Sequence, residues 1–424
     1  MERIWNNKII FFSLLILTIV LVLIRDFFLI SMPFIIFSGI CAISSIILNQ
    51  KNRILYILCL LPFCKGLPYS EMILIVLLVD LIFTISSKKK LINFVDLFCL
   101  IGILVIELIN YIYFNIVSDQ IIYLILYMFF VSYIIQTGVL KTLNKKLIVL
   151  FAFSTIIAVL SIAIREISWY GFDYIIAYNL RFGSNIEELV GTSFNSNELG
   201  LYCLISTALL LALFKYSKRK LLLIIAVICT ILGMLSVSRT FIILIIVLWL
   251  LFIFVFKIKP THLLFVLCSM VVVISLTYYL YPEFVTWLFD FTKNRTTNSS
   301  GLDNDRLQLF KMYSEFSTIS FRNCLLGYSQ KYMIILNTEV AVHNAIQESI
   351  ICWGILGLGI TTYWIFSLIK NYKKYNGINK NTLFKVIPII LFLIYVQTIQ
   401  LFTMNSYLII MLISLTSFSI NQEK

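Results

Sequence analysis

Charge is what this sequence has least of. Only 12% of its 424 residues are charged, about half the roughly 25% of an ordinary soluble domain. With 61% of residues hydrophobic, no water-soluble fold of this length can cover its apolar surface, so lipid must be the solvent for most of the chain. The period-two alternation of a transmembrane β-barrel is also missing. Runs such as Ile9–Ile24 and Phe241–Phe256 are continuous instead, which predicts helices. Cysteine is scarce outside the apolar runs. Cys324 stands alone in the long polar stretch 282–342, which excludes an intrachain disulfide framework there. No small-residue cleavage site follows the first apolar run, so that run reads as an uncleaved anchor.

The charge that is present is mostly positive, a net +13. Its distribution argues for a membrane and against nucleic acid. Basic clusters at Lys51/Arg53, Lys88–Lys90, Lys141/Lys145/Lys146, Lys215/Lys218–Lys220, Lys257/Lys259 and Lys370–Lys380 follow every second apolar segment, as cytoplasmic loops do. The apolar segments fall near 9–24, 27–48, 54–64, 70–86, 94–114, 121–139, 147–164, 197–214, 221–237, 241–256, 263–281, 343–369, 384–402 and 404–420. The expectation is therefore an all-α polytopic membrane protein with about fourteen transmembrane helices. Segments 54–64 and 70–86 flank Lys65-Gly66-Leu67-Pro68, a turn signal, and together exceed one bilayer crossing, so a hairpin is expected.

Four regions follow: N-terminal helices (1–164), central helices with an outer loop 165–196 (165–281), a large extracytoplasmic loop (282–342) and C-terminal helices (343–424). A loop as long as 282–342 is uncommon without a function. Asp303-Asn304-Asp305 reads there as a helix cap, and the spacing of Leu307, Phe310, Tyr313 and Phe316 predicts an amphipathic helix over 304–319 at the membrane surface. The aspartates also match the short D-x-D pattern of metal-using nucleotide-sugar transferases. Three residues match that pattern often by chance, and nucleotide sugars are absent outside the cell, so the cap is preferred and no metal is expected.

Four polar features stand out, all on the expected outer side. Ser238-Arg239-Thr240 divides an apolar stretch too long for one crossing. A membrane arginine is costly and is usually paired or set in a water-filled cavity; snorkelling to the interface is the plain alternative. Arg306 sits in the first turn of the expected surface helix, where the helix dipole opposes it. A bound phosphate would suit both, and an ion pair with Asp303 or Asp305 is the alternative. His343-Asn344 opens the return into the membrane, with Gln347 and Glu348 one turn on, and a histidine exchanges protons near neutral pH. Gly191–Gly200 leads into a helix, with Asn195 and Asn197 as plausible caps.

In this order the features resemble the O-antigen ligase and polysaccharide polymerase (Wzy-type) superfamily. The matching positions are Gly191–Asn197, Ser238–Thr240, Arg306, Leu325–Tyr328, His343-Asn344 and Gly354–Gly357. The resemblance spans about residues 190–360. It implies a membrane glycosyltransferase that uses a polyprenyl-diphosphate-linked oligosaccharide donor and needs no cofactor. Arg239 and Arg306 would hold the diphosphate. His343 would deprotonate or position the acceptor hydroxyl, or bind the diphosphate. Asn197, Asn344, Gln347 and Glu348 would contact substrate, with Glu348 as a partner for His343. Implied partners are the lipid-linked donor and acceptor, the bilayer, a flippase and a chain-length regulator. Polymerisation of repeat units for a surface polysaccharide is the favoured activity. Ligation of finished chains to another acceptor is the alternative, and a lipid-linked oligosaccharide flippase is the alternative of another class. Such a transporter should carry its charges near the bilayer midplane, whereas here they gather on one face. The expected location is the cytoplasmic membrane, with the site facing outward.

Overall fold

A computed structural model describes residues 2–28, 30, 32–85, 92–171, 196–236, 238–256, 275, 279, 299–376, 383–403 and 405–420. Among them the regular structure is entirely helical. In chain order the helices are α1 (Glu2–Phe28), α2 (Phe34–Ile47), α3 (Gln50–Cys59), α4 (Tyr69–Ile85), α5 (Phe94–Phe114), α6 (Gln120–Thr137) and α7 (Leu140–Tyr170). After them come α8 (Ser196–Ser217), α9 (Lys220–Met234), α10 (Arg239–Phe256), α11 (Ser299–Thr318), α12 (Phe321–Leu326) and α13 (Tyr332–Ile335). The last three are α14 (Ala345–Asn376), α15 (Leu383–Tyr395) and α16 (Ser406–Leu415). Six are long and apolar enough to cross a membrane, and five more are shorter apolar helices. Phe98, Ile112, Phe254 and Phe366 lie exposed on their outer faces. Lipid, not water, suits such a surface. The expected segment 263–281 lies almost wholly outside the described residues, as does 172–195.

Helix α8 is the axis of the bundle. Asn197–Leu213 is buried throughout, and α7, α9, α10 and α15 pack around it. Its 22 residues span about 33 Å at ~1.5 Å per residue, the thickness of a bilayer core. The two ends of the bundle differ in chemistry. At one end Asn144 Nδ2 donates to the Ser419 carbonyl at 2.6 Å and Tyr372 meets Ser419 at 2.9 Å. There too Lys215 lies over Phe384 and Lys385 over Tyr216. At the other end lie the start of α8, the start of α10, the start of α14 and the close of α15.

The hairpin expected around residues 65–68 is present. Helix α3 ends in a 3-10 turn (Leu61–Gly66) before α4, and Arg53 near the start of α3 pairs with Asp80 near the end of α4, so the two run antiparallel. Other expectations need correction. Helix α7 continues through Tyr170, so Arg165 is in a helix and not in a loop; it is buried against Glu166 at 2.6 Å. That adjacent ion pair lets the helix outrun its apolar segment. The surface helix begins at Ser299, so Asp303-Asn304-Asp305 lies inside it and does not cap it. Arg306 is in its interior and not in its first turn, which removes the argument from the helix N-terminus.

The 299–344 segment is bolted to α14. Tyr328 N donates to the Ile351 carbonyl at 2.8 Å and Ser329 N to Cys352 at 2.7 Å. Gly354, at φ +64°, and Gly327, at φ +68°, let these backbones touch. A Cβ at Gly354 would overlap the Leu325 carbonyl, and one at Gly327 the backbone of Cys352 and Trp353. The kink this puts in α14 is the price of the close approach. Arg322 adds a clamp, donating to Asn110 Oδ1 at 2.5 Å and to the Gly327 carbonyl at 3.0 Å, with its guanidinium 4.0 Å from the Tyr113 ring centre.

Candidate functional site

His343 is the last residue but one before α14, and Asn344 caps that helix. Asn344 Oδ1 accepts from Ile346 N and Gln347 N, both at 3.0 Å, as a cap side chain should. Gln347, one turn in, turns outward to the surface helix: its Nε2 donates to the Phe310 carbonyl at 2.7 Å. That contact lays α11 across the start of α14. On the far side, Asn344 Nδ2 reaches the Gln397 carbonyl at 3.5 Å. The result is a cavity of about 160 Å³. Leu309, Phe310 and Tyr313 of α11 form one wall; Val342, His343, Asn344, Gln347 and Gln397 form the rest.

The cavity holds its shape through Tyr313. Its hydroxyl meets Thr338 Oγ1 at 3.0 Å and donates to the Val340 carbonyl. Burial pushes the Tyr313 phenol up, against a smaller lowering by the Thr338 hydrogen bond, so the group stays a neutral donor at physiological pH. Nearby, Val342 N donates to Tyr332 Oη at 2.9 Å, which fixes the residue before His343.

The second polar cluster is at the start of α10. Ser238 Oγ donates to Asn197 Oδ1 at 2.6 Å and lies 3.2 Å from Tyr395 Oη. Tyr395 Oη donates to the Asn197 carbonyl at 2.8 Å. Ser238 Oγ also accepts from Phe241 N at 3.3 Å, so it caps α10 and ends the ambiguity over where the apolar stretch turns. Arg239 follows as the first residue of α10 and is exposed. A cation there is set against the positive end of the helix dipole, so helix stability does not explain it.

One short turn joins the clusters. Tyr395 closes on Asn197 and Ser238, and Gln397, two residues later in the turn Val396–Thr398, lines the His343 cavity. Asn197, Ser238, His343, Asn344, Gln347 and the α11 wall thus share one end of the bundle. Residue 306 is in α11, three and four positions before Leu309 and Phe310; its side chain lies outside the described residues.

Glu348 is fully buried, and its carboxylate is held by the chain after α15. Its carboxylate accepts from Leu401 N at 2.6 Å, Phe402 N at 3.0 Å, Thr403 N at 2.8 Å and Thr403 Oγ1 at 2.7 Å. The cause is local: the chain at 401–403 is non-helical inside the protein, and its amides need an acceptor. Glu348 is therefore an anchor for that segment.

Sequence reasoning passed over Gln397, because one glutamine inside the apolar run 384–402 carries no pattern. It also passed over Lys65 and Glu198, whose side chains meet at 3.6 Å beside Asn197. Among the described residues no group of three or more His, Cys, Asp or Glu side chains is arranged to hold a metal ion. Comparison with protein-family models, with curated proteins and with solved structures finds no match.

Proposed function

We propose that this chain is a membrane glycosyltransferase of the cell envelope, a polymerase that joins polyprenyl-diphosphate-linked oligosaccharide repeat units into a surface polysaccharide. The observation that carries this reading is the shared rim. His343 lines a cavity walled by α11, and Tyr395, at the end of the helix that leads into the Gln397 turn, is hydrogen-bonded to the residue before Arg239. Arg239 and Arg306 are assigned to the donor diphosphate. The basic end of the bundle lies opposite this rim, so the excess of Lys and Arg on cytoplasmic loops turns the rim outward from a cytoplasmic membrane.

The chemistry fits such a rim. Outside the membrane the sugar must arrive activated, and a lipid diphosphate supplies the leaving group. The acceptor hydroxyl oxygen bonds to the anomeric carbon while the bond from that carbon to the diphosphate oxygen breaks, and its electron pair stays on the diphosphate. Guanidinium groups meet that growing charge by bidentate contacts, without calling on a metal. The hydroxyl proton passes to the His343 imidazole. His343 is assigned to the acceptor because its cavity is walled by amides, aromatic rings and aliphatic groups, a setting for a neutral sugar and not for a diphosphate.

The test is the lipid-linked glycan pool of a deletion strain. Accumulated single repeats support a polymerase. Full-length lipid-linked chains mean ligation instead, and units trapped on the cytoplasmic face mean transport.

A further inference from the structure

Helix α11 spends most of its apolar stripe inside the protein. Tyr313 is fully buried, Leu309, Met312 and Phe316 pack against the core, and the Tyr313 and Tyr332 rings meet at 5.6 Å. Apart from Phe310 at the His343 cavity, the exposed positions after the cavity wall are polar: Lys311, Glu315 and Thr318. At the end of the helix that chemistry reverses. Ile319 is 67% exposed and Phe321 83%, on either side of the Ser320 that caps α12.

Two contacts between α5 and α14 fix how high this turn stands. Near the basic end, Asn93 Nδ2 donates to Asn371 Oδ1 at 3.3 Å, beside Lys370 and Lys373. Toward the rim, Asn110 Nδ2 donates to the Leu326 carbonyl of α12 at 3.0 Å and to the Cys352 carbonyl of α14 at 3.4 Å. The 17 residues from Asn93 to Asn110 rise about 26 Å at ~1.5 Å per residue, and a hydrocarbon core is about 30 Å thick. Measured from the basic boundary, α12 stands at the rim-side edge of that core and not in the water above it.

The turn also adjoins a surface that faces lipid. The Arg322 guanidinium, next to Phe321, lies 4.0 Å from the Tyr113 ring centre and 4.5 Å from that of Phe114. Tyr113 and Ile112 are exposed, and they end the apolar outer face that runs up α5 through Phe98 and Leu108. Tyrosine at the end of such a face marks the headgroup boundary.

We propose that Ile319 and Phe321 form an anchor that inserts into the rim-side leaflet of the bilayer, continuing the lipid-facing surface of α5 onto the turn between α11 and α12. Lipid is the partner because the turn stands at the edge of the core, beside side chains that lipid already covers. The anchor holds α11, the wall of the His343 cavity, at the membrane surface. It rests on the chain being embedded in a membrane and not on the polymerase reading.

The experiment puts an environment-sensitive nitrobenzoxadiazole label on Ile319→Cys and on Phe321→Cys. Both are made in the Cys324→Ser protein, purified as the full chain and reconstituted in phosphatidylcholine vesicles. Glu339→Cys, at an exposed charged position of the same segment, is the reference, and Cys324→Ser itself is the blank. The quenchers are iodide, present on both sides of the membrane, and phosphatidylcholine with a nitroxide near the top of its acyl chain. The expected result is blue-shifted emission at 319 and 321, quenched several-fold more by the nitroxide lipid and several-fold less by iodide than at 339. Labels that iodide reaches as freely as at 339 overturn the anchor. Shielding from both quenchers overturns it as well, and assigns the turn to contact with a second copy of this chain. Where gel filtration shows one variant misfolded, the other position decides.

Discussion

Ser238 and Asn197, 41 residues apart, share a buried hydrogen bond of 2.6 Å at the mouth of the bundle. The bond ties the turn that presents Arg239 to the start of the central helix. Tyr395 completes the knot from a third helix, so Arg239 starts from a position set by three elements at once.

That knot is open to test. Ser238→Ala leaves Asn197 Oδ1 buried with its donor gone, at a cost of about 1–3 kcal/mol. A loss of about 1.4 kcal/mol at the transition state is tenfold in rate, so polymer output should fall about tenfold while the protein still inserts. The checks are a melting curve in detergent and the chain-length ladder on a gel. An unchanged ladder with an unchanged melting point would show that the knot positions nothing.

The assignment of the reacting groups predicts a different phenotype. Arg239→Ala and Arg306→Ala should each lower transfer about 10²–10³-fold, the usual cost of losing one group that stabilises a developing anion. His343→Ala should cost about 10²–10⁴-fold. All three proteins should insert at parental levels, with single lipid-linked repeats accumulating. Normal ladders from all three would remove the mechanism.

Glu348 should behave as an anchor and not as a substrate contact. Glu348→Ala strips the acceptor from three backbone N–H groups at residues 401–403, each left unmet at about 1–3 kcal/mol. The folded yield and the melting point should both drop. A Glu348→Ala protein as stable as the parent but inactive would return the carboxylate to the site.

The sequence carried the bundle better than it carried the rim. Apolar period and length located Phe94–Phe114 to the residue, because a lipid-facing helix must be apolar along its whole span. The turn before Arg239 was legible from length alone, and the capping role of Ser238 and the pairing with Asn197 were not, since they depend on contacts across 41 residues. The surface helix was placed by its apolar stripe but started too late, because Asp303-Asn304-Asp305 looks like a cap wherever it stands. The anchoring of Glu348 was not legible for a related reason. Helical spacing groups it with His343, and its bonds to the non-helical chain at 401–403 depend on contacts across more than 50 residues.

The orientation of the rim follows from charge and can be read with cysteine labels. Val340, exposed beside the cavity, and Lys141, at the start of α7 on the basic end, stand at opposite ends of the bundle. With Cys324 replaced by Ser to lower the background, Val340→Cys should react with an impermeant maleimide on intact cells. Lys141→Cys should react only after the membrane is opened. The expectation rests on the cost of carrying basic loops across the membrane, which keeps Lys- and Arg-rich turns inside. Labelling of Lys141→Cys from outside, with Val340→Cys protected, would place the cavity in the cytoplasm. Nucleotide sugars are plentiful there, and a lipid-diphosphate donor would lose its rationale.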